Sequence, residues 1–335
     1  MATEPTMRAA RRDAYGPPRL VTIRDVPRPQ PKAGEVLVRV HVAGLNRADI
    51  DGLRPRWQFT RLFLGLRRPR HGGMGIDIAG VVEALGPEIT KLKVGDRVFG
   101  ELTLFGSAGF AEYVAARERD LARIPDPLTD EQAAALPHSG VLAMQGLRWR
   151  DGSSVGAGER LLVVGASGNV GPYVVQIAKA RGVHVTAVAS ADKLDFVRSL
   201  GADEVIDYQT TDYTRPAEPY DWIVDVDAHH PLRRWPAALK PGGSYVAMGG
   251  SGLWLLGSLW QRPLLRLLTG KRLALMLWWK PFHAPDVAEL LRLVGEGKVE
   301  PRIDRVYPLD QVADALAWLD DGRSRGKVLL RVADR

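Results

Sequence analysis

Arg160-Leu-Leu-Val-Val-Gly-Ala-Ser-Gly-Asn-Val-Gly171 is the stretch that decides the fold of the central part of this chain. The apolar run 161–164 predicts a buried strand, the glycines predict a tight turn, and 172–180 has apolar residues at helical spacing. Strand, turn and helix in this order form a dinucleotide-phosphate site, because backbone N–H groups and the helix dipole point at the pyrophosphate. Ala166 replaces the first glycine of G-x-G-x-x-G, so the turn alone could still be an ordinary glycine-rich loop.

Five residues of this turn are the candidates for binding the pyrophosphate. Gly168 would let the backbone approach the phosphates, and Gly171 would let the helix lie close to the strand. The candidates are Ser167, Gly168, Asn169, Val170 and Gly171.

The end of the next predicted strand, 183–190, indicates which cofactor the site takes. An NAD-specific site has an acidic residue about 20 residues after the turn, where it binds the ribose 2′-hydroxyl. Ser190 is at that position here, and Lys193 follows. A hydroxyl and an ammonium can hydrogen-bond the 2′-phosphate of NADPH, which a carboxylate would repel. We therefore predict NADPH, while Asp192 leaves NADH open and Lys193 could instead be solvated.

Composition narrows the class of protein. The chain has 335 residues, 45% of them hydrophobic, which is enough for two packed domains. The net charge of +7 is scattered, and no basic stretch with interleaved aromatics predicts a nucleic-acid partner. There is no cysteine, which excludes disulfides and thiolate zinc sites. The beginning of the chain has no long apolar core, so we expect a cytoplasmic protein.

The order of predicted elements gives an α/β fold with two parts. Short β-like segments separated by turn signals fill the first part and return at 303–307 and 327–332. Strands and helices alternate from about 130 to 248, which predicts a doubly wound parallel sheet.

The motifs together resemble the zinc-free, quinone oxidoreductase-like branch of the medium-chain dehydrogenase/reductase superfamily, which includes reticulon-4-interacting-protein-like enzymes. Each motif is modest, but their order and spacing are specific and cover nearly the whole chain. They are residues 7–16, 34–40, 44–49, 75–82, 94–100, 109–113, 133–137, the glycine turn, 199–203 and 326–329.

The resemblance implies a GroES-like, mostly β catalytic domain (1–126 and 300–335) and a Rossmann NADPH-binding domain (127–299), with the cofactor in the cleft between them. Zinc alcohol dehydrogenases of this superfamily bind their catalytic metal through a Cys and a His. The matching positions hold Asn46 and Ile76, and neither an amide nor an alkyl side chain is a good zinc ligand. We therefore expect no metal, and a hydride acceptor that needs little polarisation, such as a quinone or an α,β-unsaturated carbonyl.

Residue roles follow from the resemblance. Asn46 is expected to face the nicotinamide ribose or the substrate, with Asp49 as a second catalytic candidate, although Asn46 could equally be a cap or turn residue. Tyr208 is expected at the adenosine phosphate and Lys327 near the cofactor; both could be plain surface residues. Gly249, Gly250 and Ser251 follow a predicted strand and are expected to line the nicotinamide pocket.

Two departures from the family pattern keep a second function open. The family usually has Thr where this chain has Leu142, and its glycine-rich loop after the fourth strand reads Asp-Val-Asp-Ala-His-His over 225–230. The alternative is therefore a non-catalytic NADPH sensor or accessory protein. A zinc-free alcohol or aldehyde reductase is a further possibility that differs only in substrate. His229 and His230 could supply a proton, though loop histidines usually face solvent.

The segment 253–282 mixes Trp and Leu with several Arg and Lys. It could be a lid for a small hydrophobic substrate, a peripheral membrane contact, or a helix packed on the cofactor domain or on a dimer partner. Its cations and Pro263 argue against a spanning helix. We expect a homodimer.

Overall fold

The computed structural model describes residues 5–55, 61–102, 108–250, 252–276 and 278–333. They divide into two units, one formed by Met1–His138 with Pro301–Arg335 and the other by Ser139–Glu300.

The described strands and helices follow one another along the whole chain. The strands are β1 (Thr6–Arg11), β2 (Thr22–Pro27), β3 (Glu35–Gly44), β4 (Asp77–Leu85), β5 (Arg97–Glu101), β6 (Tyr113–Arg117), β7 (Leu121–Arg123), β8 (Arg160–Val164), β9 (His184–Ala189), β10 (Glu204–Asp207), β11 (Tyr220–Asp225), β12 (Leu239–Ala247), β13 (Arg272–Leu275), β14 (Ile303–Pro308) and β15 (Lys327–Arg331). The α-helices are α1 (Arg47–Leu53), α2 (Arg61–Leu64), α3 (Asp130–Ala135), α4 (Pro137–Gly146), α5 (Gly171–Ala180), α6 (Leu194–Ser199), α7 (Gly252–Thr269), α8 (Ala284–Gly295) and α9 (Val312–Asp320).

The first unit is built on a seven-stranded sheet with the order β14-β15-β3-β4-β5-β7, and β6 also pairs with β3. β3 is its central strand, and Val36, Val38 and Val40 alternate along it as part of the unit's apolar core. Both ends of the chain contribute, because β15 pairs antiparallel with β3 through Leu330↔Ala43. The mostly β domain that the short β-like segments predicted is confirmed, and it is the GroES-like domain that the family resemblance implied.

The first unit extends to His138 rather than ending at 126, and α3 is the reason. Asp130, the first residue of α3, accepts a hydrogen bond from Nη2 of Arg97 at 2.6 Å, and its other oxygen lies 2.8 Å from Nδ1 of His41. Because Arg97 is on β5 and His41 on β3, these contacts attach α3 to the sheet of the first unit.

The second unit has a six-stranded, entirely parallel sheet with the order β10-β9-β8-β11-β12-β13. This is the Rossmann order: β9 and β10 are added in turn on one side of β8, and β11, β12 and β13 on the other side. The predicted parallel sheet is confirmed. The carboxyl ends of all six strands lie along one edge, where ligands bind in open α/β sheets.

Some elements differ from the expected segments. The sequence pattern predicts a β-like segment over 20–23, but Leu20 ends a 3₁₀-helix, Pro18–Leu20, and β2 begins at Thr22. The pattern also predicts a strand over 244–248, and this stretch overlaps the end of the longer strand β12, Leu239–Ala247. The Trp- and Leu-rich segment forms α7 followed by the edge strand β13.

Candidate active site

The glycine turn between β8 and α5 has the backbone of a phosphate-binding loop. A Cβ at Gly171 would lie 2.3 Å from the carbonyl oxygen of Gly165, so only glycine lets the helix begin this close to the strand. A Cβ at Gly168 would meet no atom nearer than 3.8 Å, so packing within the chain does not require glycine there. Close approach of a ligand to the backbone would explain the glycine at position 168. The turn therefore fits a bound pyrophosphate. Ser167, Asn169 and Val170 complete the turn.

The expected 2′-phosphate residues lie together at the ends of two neighbouring strands. β9 and β10 pair with Asp207 opposite Ala189, so Ser190 and Tyr208 each follow a strand at the same edge. The hydroxyl of Ser190 donates to Oδ1 of Asp192 at 2.6 Å. Lys193 is only 8% exposed, so the interpretation of it as a solvated residue is wrong. Tyr208 is exposed.

The residues after β12 pack against the loop that follows β11. A Cβ at Gly249 would lie 2.9 Å from the carbonyl oxygen of Val226, and one at Gly250 would lie 2.8 Å from the Trp254 ring. Packing inside the second unit is therefore sufficient to explain both glycines, and their expected role at the nicotinamide stays a prediction. Ser251 lies outside the described residues.

Strand β11 ends at a buried carboxyl group, Asp225. Burial raises the pKa of Asp225 to about 7, although the Tyr245 hydroxyl donates to its Oδ2 at 2.8 Å. His229 is exposed, and its ring lies 4.4 Å from that of the partly buried His230. Burial lowers the pKa of His230, which favours the neutral form of this ring.

A buried cluster of polar side chains lies in the first unit where β3 ends and where β4 and β15 begin. Nζ of Lys327 donates to Oδ1 of Asn46 and to Oδ2 of Asp77, both at 2.7 Å. Nδ2 of Asn46 closes the triangle by donating to the same oxygen of Asp77 at 2.9 Å. None of the three side chains has appreciable solvent exposure. The structure thus unites Asn46 and Lys327, which were predicted separately.

The cluster continues through Asp77 into a second pair of residues. Oδ1 of Asp77 accepts the backbone N–H of His138 at 3.1 Å, and Nδ1 of His138 lies 2.7 Å from Oε1 of Glu101. Burial by itself would lower the pKa of His138, but the charge of Glu101 and its hydrogen bond outweigh burial and raise it. His138 and Glu101 therefore extend the buried polar cluster beyond Asp77.

The carboxylate of Asp49, the second catalytic candidate, is buried and holds the backbone of neighbouring residues in position. Its Oδ2 accepts the backbone N–H of Asn46 at 2.8 Å, and its Oδ1 accepts that of Gly75 at 3.2 Å. It therefore closes the first turn of α1 and fixes the backbone of Asn46. Burial raises the pKa of Asp49 to about 6. Asn46 is the N-cap residue of α1, so the interpretation of it as a cap is confirmed, and its role at the nicotinamide or the substrate stays a prediction.

The comparisons with known proteins agree with this architecture. The alcohol dehydrogenase GroES-like domain family matches residues 32–126, and the zinc-binding dehydrogenase family matches residues 200–330. The chain is 32% identical over 314 residues to the chloroplast envelope quinone oxidoreductase homolog of Arabidopsis thaliana, covering 91% of this chain and 92% of that protein.

A human protein and a solved bacterial structure are similar over comparable lengths. Identity to the mitochondrial NAD(P)H oxidoreductase RTN4IP1 of Homo sapiens is 31% over 332 residues, covering 89% of this chain and 82% of that protein. The quinone oxidoreductase structure from Coxiella burnetii superposes with a TM-score of 0.85 at 27% identity and covers 98% of this chain and 100% of that one.

The chain belongs to the quinone oxidoreductase-like branch of the medium-chain dehydrogenase/reductase superfamily. Membership of this branch makes the protein an oxidoreductase that uses a nicotinamide cofactor. The resemblance read from the sequence motifs is confirmed.

The name of the zinc-binding dehydrogenase family does not by itself assign a metal to this member. Within the described ranges, no group of three or more His, Asp and Glu residues could hold a metal ion. Ile76 is buried, and the amide oxygen of Asn46 is engaged by the Lys327 ammonium. The two matching positions therefore carry an alkyl group and an amide that already binds a cation.

Asp77, Glu101 and His138 belong to the cluster, but the sequence analysis missed all three as site residues. Strand register connects two of them, since Gly44 is opposite Asp77 and Asp77 is opposite Glu101, whereas His138 is on α4. Leu142, the departure noted above, lies half-buried on α4 and offers no hydroxyl.

Proposed function

We propose that this oxidoreductase is NADPH-dependent and zinc-independent, and that it transfers hydride to a quinone or an α,β-unsaturated carbonyl compound. The observation that carries the proposal is the buried triangle of Lys327, Asn46 and Asp77. It places a fixed ammonium beside Asn46, a position that holds a metal ligand in the zinc enzymes. A second cation there would be repelled by Lys327 in a site with little water.

The cluster can favour reduction without a metal. NADPH, when bound, supplies the hydride. Negative charge then develops on the acceptor oxygen, and the Lys327 ammonium and the Asn46 amide are donors already held in place to stabilise such charge. Asp77 keeps both donors oriented, and Asp49 fixes the backbone from which Asn46 extends. Conjugated acceptors suit this arrangement, because they spread the developing charge and need only modest stabilisation.

The second unit supports NADPH over NADH. The strand-end position that carries an acidic residue in NAD-specific sites has the hydroxyl of Ser190, and Lys193 is in the same turn, its backbone N–H donating to the carbonyl of Ser190 at 2.9 Å. Asp192, which accepts from Ser190, is the feature that supports NADH.

A sensor without turnover is the second candidate. The half-buried alkyl side chain of Leu142 on α4 supports it, because the family's usual Thr would add a hydrogen bond near the nicotinamide.

Nicotinamide fluorescence titrations with NADPH and NADH, followed by absorbance measurements after adding phenanthrenequinone, test the proposal. Selective NADPH binding with quinone-dependent oxidation is expected, and dialysis against a chelator should leave the rate unchanged. Stronger NADH binding would overturn the cofactor assignment. Selective NADPH binding with no oxidation by quinones or enones would favour the sensor, and loss of activity on chelation would refute zinc independence.

A further inference from the structure

Helix α7 has apolar residues on two opposite faces, and only one of them is covered. Trp254 is buried and donates from its indole N–H to the carbonyl of His230 at 2.6 Å, while Ser258 and Leu265 lie on the same face, with Leu265 packed on the core of the second unit. This face attaches the helix to the protein.

The opposite face of α7 is exposed and apolar. Trp260 is 67% exposed and Leu267 83% exposed. Residues 260, 264, 267 and 268 follow helical spacing, so they form one continuous stripe, and the exposed Leu259 lies beside its first residue. Single exposed apolar residues are ordinary on a protein surface, but a continuous stripe of large side chains indicates an interaction surface.

The charge of the surrounding sequence identifies the kind of partner. Residues 228–285 contain no Asp or Glu and eight Lys and Arg. Lys240 and Arg272 are paired with carboxylates outside this stretch, and Lys271 is buried, so in the part of the chain that the structure describes the free positive charge comes from the other five. Two of these cations, Arg262 and Arg266, are one turn apart on α7, along the border between the buried face and the exposed stripe. The eight are Arg233, Arg234, Lys240, Arg262, Arg266, Lys271, Arg272 and Lys280.

We propose that the exposed stripe of α7 inserts into the surface of an anionic lipid bilayer. An interfacial helix combines these features: a large apolar face, a Trp at the level of the headgroups, and Arg beside that face to contact anionic lipids. The helix would lie in the plane of the membrane, since among the residues the structure describes no helix is long and apolar enough to cross one.

A second copy of the chain fits this surface less well. A two-fold contact would place the same patch on both sides, so Arg262 and Arg266 would approach their own counterparts. The acid-free stretch 228–285 offers those arginines no carboxylate of its own. Lipid headgroups such as phosphatidylglycerol provide the negative charge that the contact needs.

Vesicle flotation with the full-length protein tests this proposal and does not require turnover. Binding is compared between vesicles of phosphatidylcholine alone and vesicles in which phosphatidylglycerol replaces about a third of it. We expect binding to the anionic vesicles that weakens as salt is raised. Leu267→Glu/Leu268→Glu should reduce the partition coefficient at least about tenfold, because two leucines leave the acyl boundary and two anions enter.

Control substitutions at other exposed positions show whether a loss of vesicle binding is specific to α7. Leu66→Glu changes another leucine, 64% exposed, in the first unit and should leave binding unchanged. Arg262→Gln/Arg266→Gln should reduce anionic-vesicle binding several-fold, whereas Arg119→Gln/Arg215→Gln, which removes the same charge from other exposed positions, should have a much smaller effect.

Three results would overturn the proposal. The first is no binding to either vesicle by a folded protein. The second is equal loss of binding in the Leu66 variant. The third is dissociation of a dimer by Leu267→Glu/Leu268→Glu in sedimentation velocity without any change in vesicle binding, which would identify a second copy as the occupant. Circular dichroism verifies that each variant is folded, and Leu→Glu preserves helix propensity.

Discussion

Nζ of Lys327 lies 2.7 Å from Oδ2 of Asp77, and neither side chain is exposed to solvent. A buried ion pair is costly to form and still more costly to break, because removing one partner leaves a buried charge without compensation. The pair can therefore be tested for function only if both charges are removed together.

Lys327→Met alone should lower the free energy of unfolding by about 3–5 kcal/mol, since it leaves Asp77 unpaired. Asp77→Asn/Lys327→Met should recover most of that stability yet lose at least about tenfold in kcat with NADPH and phenanthrenequinone, because the fixed positive charge is absent. Urea unfolding and steady-state kinetics measure the two effects.

The matched control for this pair is Asp203→Asn/Lys179→Met, which removes a partly exposed ion pair of the same 2.7 Å length in the second unit. It should change kcat little. A folded Asp77→Asn/Lys327→Met enzyme with unchanged kcat would contradict the role of the triangle in reduction.

Gly168→Ala and Gly171→Ala should have opposite consequences. At Gly171 the new methyl would lie 2.3 Å from a backbone oxygen, so the protein should be destabilised by several kcal/mol or fail to fold. At Gly168 the methyl would lie no nearer than 3.8 Å to any other atom of the chain, so stability should be unchanged while NADPH affinity falls about tenfold or more. Thermal unfolding and fluorescence titration distinguish the two, and unchanged affinity in Gly168→Ala would count against the pyrophosphate site.

Ser190→Asp should exchange the cofactor preference. A carboxylate at the strand end would repel the 2′-phosphate and accept a hydrogen bond from the ribose 2′-hydroxyl, so the Kd for NADPH should rise about tenfold or more while that for NADH falls. Ser199→Asp adds the same charge at the exposed end of α6 and is the control. If both variants alter NADPH binding equally, Ser190 does not lie at the 2′-phosphate.

Asp225 should make the second unit less stable as pH rises. Burial raises its pKa from the ordinary 3.8 to about 7 in the folded protein, so the folded state holds the proton more tightly. The stability from this group is complete below the unfolded pKa and is lost as pH rises through about 7.

Asp225→Asn mimics the protonated form and still offers Tyr245 an acceptor oxygen. Relative to wild type it should gain nothing near pH 4 and roughly 4 kcal/mol near pH 8 in urea unfolding. Asp49 titrates in both proteins, so its effect cancels. Asp195→Asn, at a side chain that is 98% exposed, is the control. A difference that does not grow with pH would show that Asp225 titrates normally.

The sequence by itself determined the Rossmann unit and its glycine turn. Every feature of that turn lies within the twelve residues quoted first, because a strand, a tight turn and a helix are specified by local spacing and by where glycine is needed. The alternation of later strands and helices then implied the parallel sheet. Asn46 and Lys327 could also be predicted as site residues, because both lie in recognisable family motifs.

Only the tertiary structure decided what these residues do together. Lys327 and Asn46 are 281 positions apart, and they meet because β15 pairs with β3. Asp77 and Glu101 join them through the register of β4 and β5, which no local pattern encodes. The exposure of the stripe on α7 could not be predicted either, because the sequence of a helix with two apolar faces does not show which face packs on the core. Burial and strand pairing depend on residues distant in the chain, so they cannot be predicted from the local sequence alone.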